Sequence, residues 1–241
     1  MVTPSGLIEL ARNPALIKGI YNVCDHWCMY CPATSRCLAY RCSPGVTHLR
    51  EHGPGENSDE GDDDHLLESL MTIKCLAEAE GRRAPADIET FLSGDSQSLQ
   101  RMFRIDDPLE RQGRQYMVTS TTYLATRAAS SPHASSSTAG PTALEVFSWF
   151  HVLVPARIFR ALLSASEAHH GVARRGEDAL GAAKLALVGI DRSIDALTTL
   201  AAEDDDPRVE LLVAQLRRLG PDVERRFPAA RAYLRPGLDA G

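Results

Sequence analysis

Leu180, Ala183, Leu187, Ile190, Ile194, Leu197 and Ala201 recur at steps of three and four. Such a stripe is buried only when the segment is an α-helix packed on other elements. The spacing predicts a helix over 178–202. Gly181, Ala182 and Gly189 lie on its neighbouring faces and would admit a close partner, although glycine weakens an isolated helix. Asp206 followed by Pro207 reads as the N-cap and first residue of the next helix, and Gly220-Pro221 as its end. Thr142 and Glu145 form a capping box ahead of an apolar run. Further helices are expected over 65–80 and 87–129, the second with a break at Asp107-Pro108. Strand-type alternation is nearly absent, its nearest approach being Tyr116 to Tyr123. The expected fold is all-α, a helical bundle with an N-terminal cysteine-rich module.

A chain of 241 residues buries a core without disulfide staples. Its 44% hydrophobic and 24% charged residues describe a globular protein rather than a disordered one. The net charge of -6 leaves no electrostatic footprint for a nucleic-acid backbone, so no nucleic-acid partner is expected. Pro4, Glu9, Arg12, Pro14 and Lys18 interrupt the first residues, which lack the apolar centre of an export signal. The longest uncharged apolar stretch, Val146 to Ala156, falls short of the roughly 20 residues that span a bilayer. A cytoplasmic chain with no membrane partner is therefore expected, and in that reducing compartment cysteines serve metal binding or redox chemistry. Three segments follow from composition: a cysteine-rich module over 1–45, an acidic loop over 46–64, and the bundle over 65–241 with a Ser-rich loop at 130–141. The acids of the 46–64 loop are out of register for an EF-hand calcium site.

The chemistry concentrates at Cys24, Cys28, Cys31 and Cys37, spaced C-x3-C-x2-C-x5-C. Thiolates crowded in this way select zinc or an iron–sulfur cluster over hard, oxygen-loving ions. Structural zinc more often takes two C-x2-C pairs separated by an insertion, whereas one compact run suits a [4Fe–4S] cluster. Pro32 after Cys31 repeats the proline that closes bacterial ferredoxin runs. The expected cofactor is a [4Fe–4S] cluster, with zinc as the alternative. Cys42 competes with Cys37 as fourth ligand, Cys75 reads as a small buried hydrophobe in a helix, and His26 is less well spaced than the cysteines. Trp27 and Tyr30 are expected to shield the centre from water and tune its potential.

With Tyr30 directly before Cys31, the segment Cys24 to Cys31 also resembles the cluster-binding signature of the radical S-adenosylmethionine enzymes. That resemblance implies three cysteines around a cluster with one iron open to the cofactor, and a following barrel of alternating strands and helices. The helical remainder and Cys37, which would close the open iron, point instead to a four-thiolate centre.

Elsewhere, His151 interrupts the stripe Leu144, Phe147, Val154, Ile158, Ala161 and is expected in the core. Pro155 lacks the N–H that would bond the His151 carbonyl, so a kink is expected there. Beside a cluster this histidine would ligate, hydrogen-bond a sulfur or carry a proton; otherwise it is a core histidine satisfied by an ordinary partner. Glu145, Arg157 and Arg160 read as solvated charges, and His169-His170 as a helix end. No Glu-x-x-His pairing for a di-metal bundle occurs: His65 and Glu68 stand in the reverse order, and Asp191 and Asp195 have no histidine nearby. Phosphate-loop, nucleophile-elbow and His-Glu-x-x-His motifs are absent. The functional expectation is electron transfer or redox sensing with a redox partner protein. Its rivals are a divergent radical S-adenosylmethionine-type enzyme and a zinc-stapled interaction protein.

Overall fold

Helices begin where the chain supplies acceptors for their first N–H groups, and three of the four long ones described here show such an acceptor. The structure, a computed structural model, describes residues 10, 12–42, 105–130, 140–169, 175–203 and 206–239. Helix α1 (Pro108–Ser130) opens with proline, and Asp107 Oδ1 accepts the N–H of Leu109 at 2.8 Å. Helix α2 (Ala143–His169) opens on the expected capping box. There Thr142 Oγ1 accepts from Glu145 N–H at 3.2 Å, and the Glu145 carboxylate accepts from Thr142 N–H at 2.7 Å. Helix α3 (Arg175–Glu203) carries Glu177 and Asp178 in its first turn, where the helix dipole favours anions. Helix α4 (Pro207–Arg226) is capped by Asp206, which accepts from Arg208 N–H. The Arg208 guanidinium beside that carboxylate holds it below the usual carboxylate range.

One boundary departs from expectation. Helix α4 runs through Gly220-Pro221 to Arg226, closing with Phe227 N–H on the Val223 carbonyl at 2.8 Å. Its buried stripe, Val209, Leu212, Leu216, Leu219 and Val223, crosses the proline, so burial of Val223 and Phe227 outweighs the one backbone bond that Pro221 cannot donate. The run Tyr116 to Tyr123 is helical within α1: Tyr116, Ser120 and Tyr123 share a buried face. Thr119, Thr122 and Thr126 turn their hydroxyls back to carbonyls one turn earlier.

The chain divides into two compact units, one of residues 1–18 with 32–104 and one of 19–31 with 105–241. In the second, α1 packs on α2, α2 on α3, α3 on α4 and α4 on α1, which closes a four-helix bundle. Helix α3 is buried around most of its circumference. Ala183, Leu187, Ile190 and Leu197 of the expected stripe are buried, and so are Ala182, Leu185, Ala186, Ala196 and Leu200, while Ala201 is exposed. At Gly189 α3 comes close to α2: a Cβ there would lie 2.8 Å from Val154 and 3.0 Å from Phe150. Among the described residues one helix, over Ala143–Ala168, is long and apolar enough to cross a bilayer. A bundle's core helix has the same composition, and Phe147, Phe150, Val154, Ile158 and Leu162 of this one are buried. After α4 the chain folds back onto α3, where Arg231 joins Asp191 and Glu224 and its carbonyl accepts from Lys184 Nζ at 2.6 Å.

In the first unit, Ile17 N–H meets the Arg36 carbonyl at 2.9 Å, and a turn at Thr34–Arg36 leads into the short helix Leu38–Cys42. The described residues are mostly helical and contain no strand. The 46–64 loop, the 65–80 helix, Cys75, residues 87–104 of the 87–129 helix and residues 131–139 of the Ser-rich loop lie outside the described residues.

Two outcomes follow for stability. Gly189→Ala places a methyl group where Val154 and Phe150 already stand and should cost about 1–3 kcal/mol in chemical denaturation. Gly176→Ala, which meets open space, should be neutral or stabilising by up to about 1 kcal/mol. The phenol of Tyr116 is buried near Ser193, with neither hydroxyl in regular hydrogen-bond geometry. Burial raises its pKa, an effect that Ser193 only partly offsets. Below about pH 10 the phenol is protonated in both folded and unfolded chains. Above that pH the unfolded chain loses the proton while the folded chain keeps it, so stability falls as pH rises. Denaturation midpoints between pH 8 and 11 should fall less steeply in Tyr116→Phe than in the parent.

Candidate metal centre

Residues 19–31 form a loop laid along the bundle. Ile20 and Val23 are buried, and Val23 fits a notch at Gly181 of α3, where a Cβ would lie only 2.5 Å from it. The backbone then reverses at His26, whose φ of 57° is left-handed, at a cost of roughly 1–2 kcal/mol for a residue with a side chain. Asp25 Oδ1 steadies the reversal by accepting Trp27 N–H at 3.2 Å. The His26 carbonyl accepts Cys28 N–H at 2.9 Å. Trp27 is thereby turned into the core: its ring stacks on Trp149 at 5.4 Å and 10°, and meets Phe150 edge-on at 6.1 Å. Such aromatic pairs add about 0.5–1.5 kcal/mol each beyond the area they bury.

Three side chains of α2 and α3 hold the loop's polar groups. Trp149 Nε1–H donates to the Asp25 carbonyl at 2.8 Å. Arg157 donates to the carbonyls of Asn22 at 3.3 Å and Cys24 at 3.0 Å. Arg192 pairs with the Asp25 carboxylate at 3.0 Å and lies over the Phe150 ring. Burial pulls the Arg157 pKa down, and the charges of Cys24 and Asp25 pull it back up. Arginine nonetheless stays protonated across the ordinary pH range, so the cation beside Cys24 is permanent.

Cys24 is buried beneath this grip, whereas Cys28 and Cys31 are partly exposed. The latter two bound a single turn, Cys28–Tyr30, closed by Cys31 N–H on the Cys28 carbonyl at 3.2 Å. Cys37 is buried in the other unit, its N–H on the Thr34 carbonyl at 3.2 Å. Cys42 ends the short helix there, and its side chain lies outside the described residues. Among the described residues, no three His, Cys, Asp or Glu side chains are grouped to hold a metal ion. The donor chemistry of the run fits a soft, thiolate-bound centre.

The aromatic pair divides: Trp27 is a buried anchor, and Tyr30 stands 41% exposed with its ring edge on Trp27 at 4.9 Å. His151 is not in the core. The buried face of α2 steps through Phe147, Phe150, Val154, Ile158 and Ala161, which leaves position 151 half-buried at its edge. There Nδ1 lies 2.6 Å from the Ser148 carbonyl, so the ring is satisfied by its own helix. Pro155 is buried within α2 beside Gly113 of α1. Arg157, which the sequence suggests is a solvated charge, is instead the loop's main clamp, and Trp149 and Arg192, which carry no motif, share the task. Trp149 and Arg157 lie two turns apart beside the core stripe, the one trace the sequence carries of their shared task. In comparisons with family models, curated proteins and solved structures, the chain matches none.

Trp149→Phe keeps the stack and loses one hydrogen bond, and should cost about 0.5–1.5 kcal/mol. Arg157→Met removes two charge-assisted bonds from the loop carbonyls and should cost more, about 1.5–3 kcal/mol. Its direct signature is faster alkylation of Cys24 in the folded protein than in the parent, read by peptide mass mapping.

Proposed function

We propose that this chain binds a [4Fe–4S] cluster through Cys24, Cys28 and Cys31, with Cys37 as fourth thiolate by its spacing. The cluster would serve electron transfer or redox sensing in the cytoplasm, opposite a redox partner protein. One observation carries the reading: three thiols of a compact run share a short loop clamped to the helical bundle, with a permanent cation beside the first of them. A thiolate-bound cluster is anionic, and a fixed guanidinium in partly buried surroundings favours that charge more than it would in water. Loops held by rigid scaffolds reorganise little, as an electron carrier requires.

Zinc is the second reading, favoured by the Cys28–Tyr30 turn, since C-x2-C turns are the usual half-sites of structural zinc. The radical S-adenosylmethionine reading rests on the eight-residue resemblance alone, with no strand among the described residues to build its barrel.

Purification without oxygen, with iron, sulfide and zinc assayed on one sample, separates these readings. A broad visible band with stoichiometric sulfide is the expected result; colourless protein with one zinc per chain would replace the cluster by a staple. Cys24→Ser, Cys28→Ser, Cys31→Ser and Cys37→Ser should each lose iron and sulfide, and retention of both by any of the first three defeats the proposal. Adding S-adenosylmethionine to the reduced protein should leave its electron paramagnetic resonance spectrum unchanged, because four thiolates leave no iron open.

A further inference from the structure

We infer that Cys28 and Cys31 form a reversible disulfide in the metal-free chain, making this turn a site of thiol–disulfide exchange. The inference concerns the protein without a bound centre and holds whether that centre is a cluster, zinc or neither.

The geometry of the turn carries it. Cys31 N–H bonds the Cys28 carbonyl at 3.2 Å across a single 3-10 turn. In such a turn residues i and i+3 eclipse one another, and a rise of about 2.0 Å per residue separates their Cα atoms by about 6 Å. That falls inside the roughly 4.4–6.8 Å window that a disulfide spans without backbone movement. Access selects the same pair. Among the described thiols Cys28 and Cys31 are partly exposed, while Cys24 and Cys37 are buried. The residues between them, Met29 and Tyr30, are 72% and 41% exposed, so the turn faces solvent. Behind it, the stack of Trp27 on Trp149 holds the turn to the bundle. Cys24 lies beyond the left-handed reversal at His26, under the carbonyl grip of Arg157.

The oxidant is a disulfide, of a small molecule or of a partner protein. One thiolate attacks a sulfur of that disulfide, forming a mixed disulfide and releasing the first thiol of the oxidant. The second cysteine then attacks the protein-side sulfur and releases the other. Cys28 and Cys31 together give up two electrons and two protons and gain one S–S bond; the oxidant loses its S–S bond and becomes two thiols. The oxidised pair cannot ligate a metal until it is reduced, so the same turn would report the oxidant to the centre.

The test uses the full-length chain, reduced and stripped of metal by a chelator, then treated with glutathione disulfide and alkylated. Trypsin, cutting after Lys18 and Arg36, releases residues 19–36 with Cys24, Cys28 and Cys31 on one peptide. The expected product has lost two hydrogens, carries the alkyl group on Cys24, and fails to fragment between Cys28 and Cys31. Dithiothreitol should restore three alkylation sites. Cys24→Ser should keep the linkage, and Cys28→Ser or Cys31→Ser should abolish it. Linkage through Cys24 or Cys37, or glutathione adducts without an internal bond, would overturn the inference. Because no metal enters the assay, a chain that never binds iron can still pass it, and one that does can still fail.

Discussion

The guanidinium of Arg157 donates to the carbonyls of Asn22 and Cys24, and the docked loop depends on that bond pair. A backbone laid on an apolar helical wall loses part of its hydration, and a carbonyl buried there without a partner costs on the order of 1–3 kcal/mol. One arginine meets two of them with a charged donor, and Trp149 meets the third at Asp25. Arg157 is itself partly desolvated, and the nearby charges of Cys24 and Asp25 offset part of that cost. The clamp and the loop therefore stabilise one another.

Shape complements this chemistry. Gly181 leaves a recess for Val23, and Gly189 lets α3 press against Val154 and Phe150. The same Phe150 then receives the edge of Trp27 on one side and the cation of Arg192 on another. A helix buried on most sides, as α3 is, accommodates its neighbours by omitting side chains rather than by adding them.

The sequence made the long helices legible because their signals are local. The capping box at Thr142 and Glu145, the Asp206-Pro207 start and the helix start at Asp107-Pro108 each act within four residues. Where tertiary packing overrode a local signal, the reading failed: Pro221 punctuates the chain but not the helix, because the apolar stripe continues beyond it. His151 was misplaced for a related reason. Two stripes run through α2 at helical spacing, and only contact with neighbours decides that Phe150, not His151, faces the core. Of the candidate centre, the spacing of the cysteines was visible and the support of their loop was not. Trp149 lies 124 residues from Asp25, and Arg157 lies 135 from Asn22; no window of sequence joins them.

That separation also sets an order of events. The loop's last anchor, Arg192, is 167 residues downstream of its partner Asp25. At a synthesis rate of about 5–20 residues per second, that interval lasts on the order of ten to thirty seconds. Through most of it the wall over Cys24 is unfinished: Arg157 of α2 follows Cys24 by 133 residues, and Arg192 of α3 comes later still. The most sheltered thiol of the finished loop is thus left bare on the nascent chain, open to any oxidant until α2 and α3 close over it.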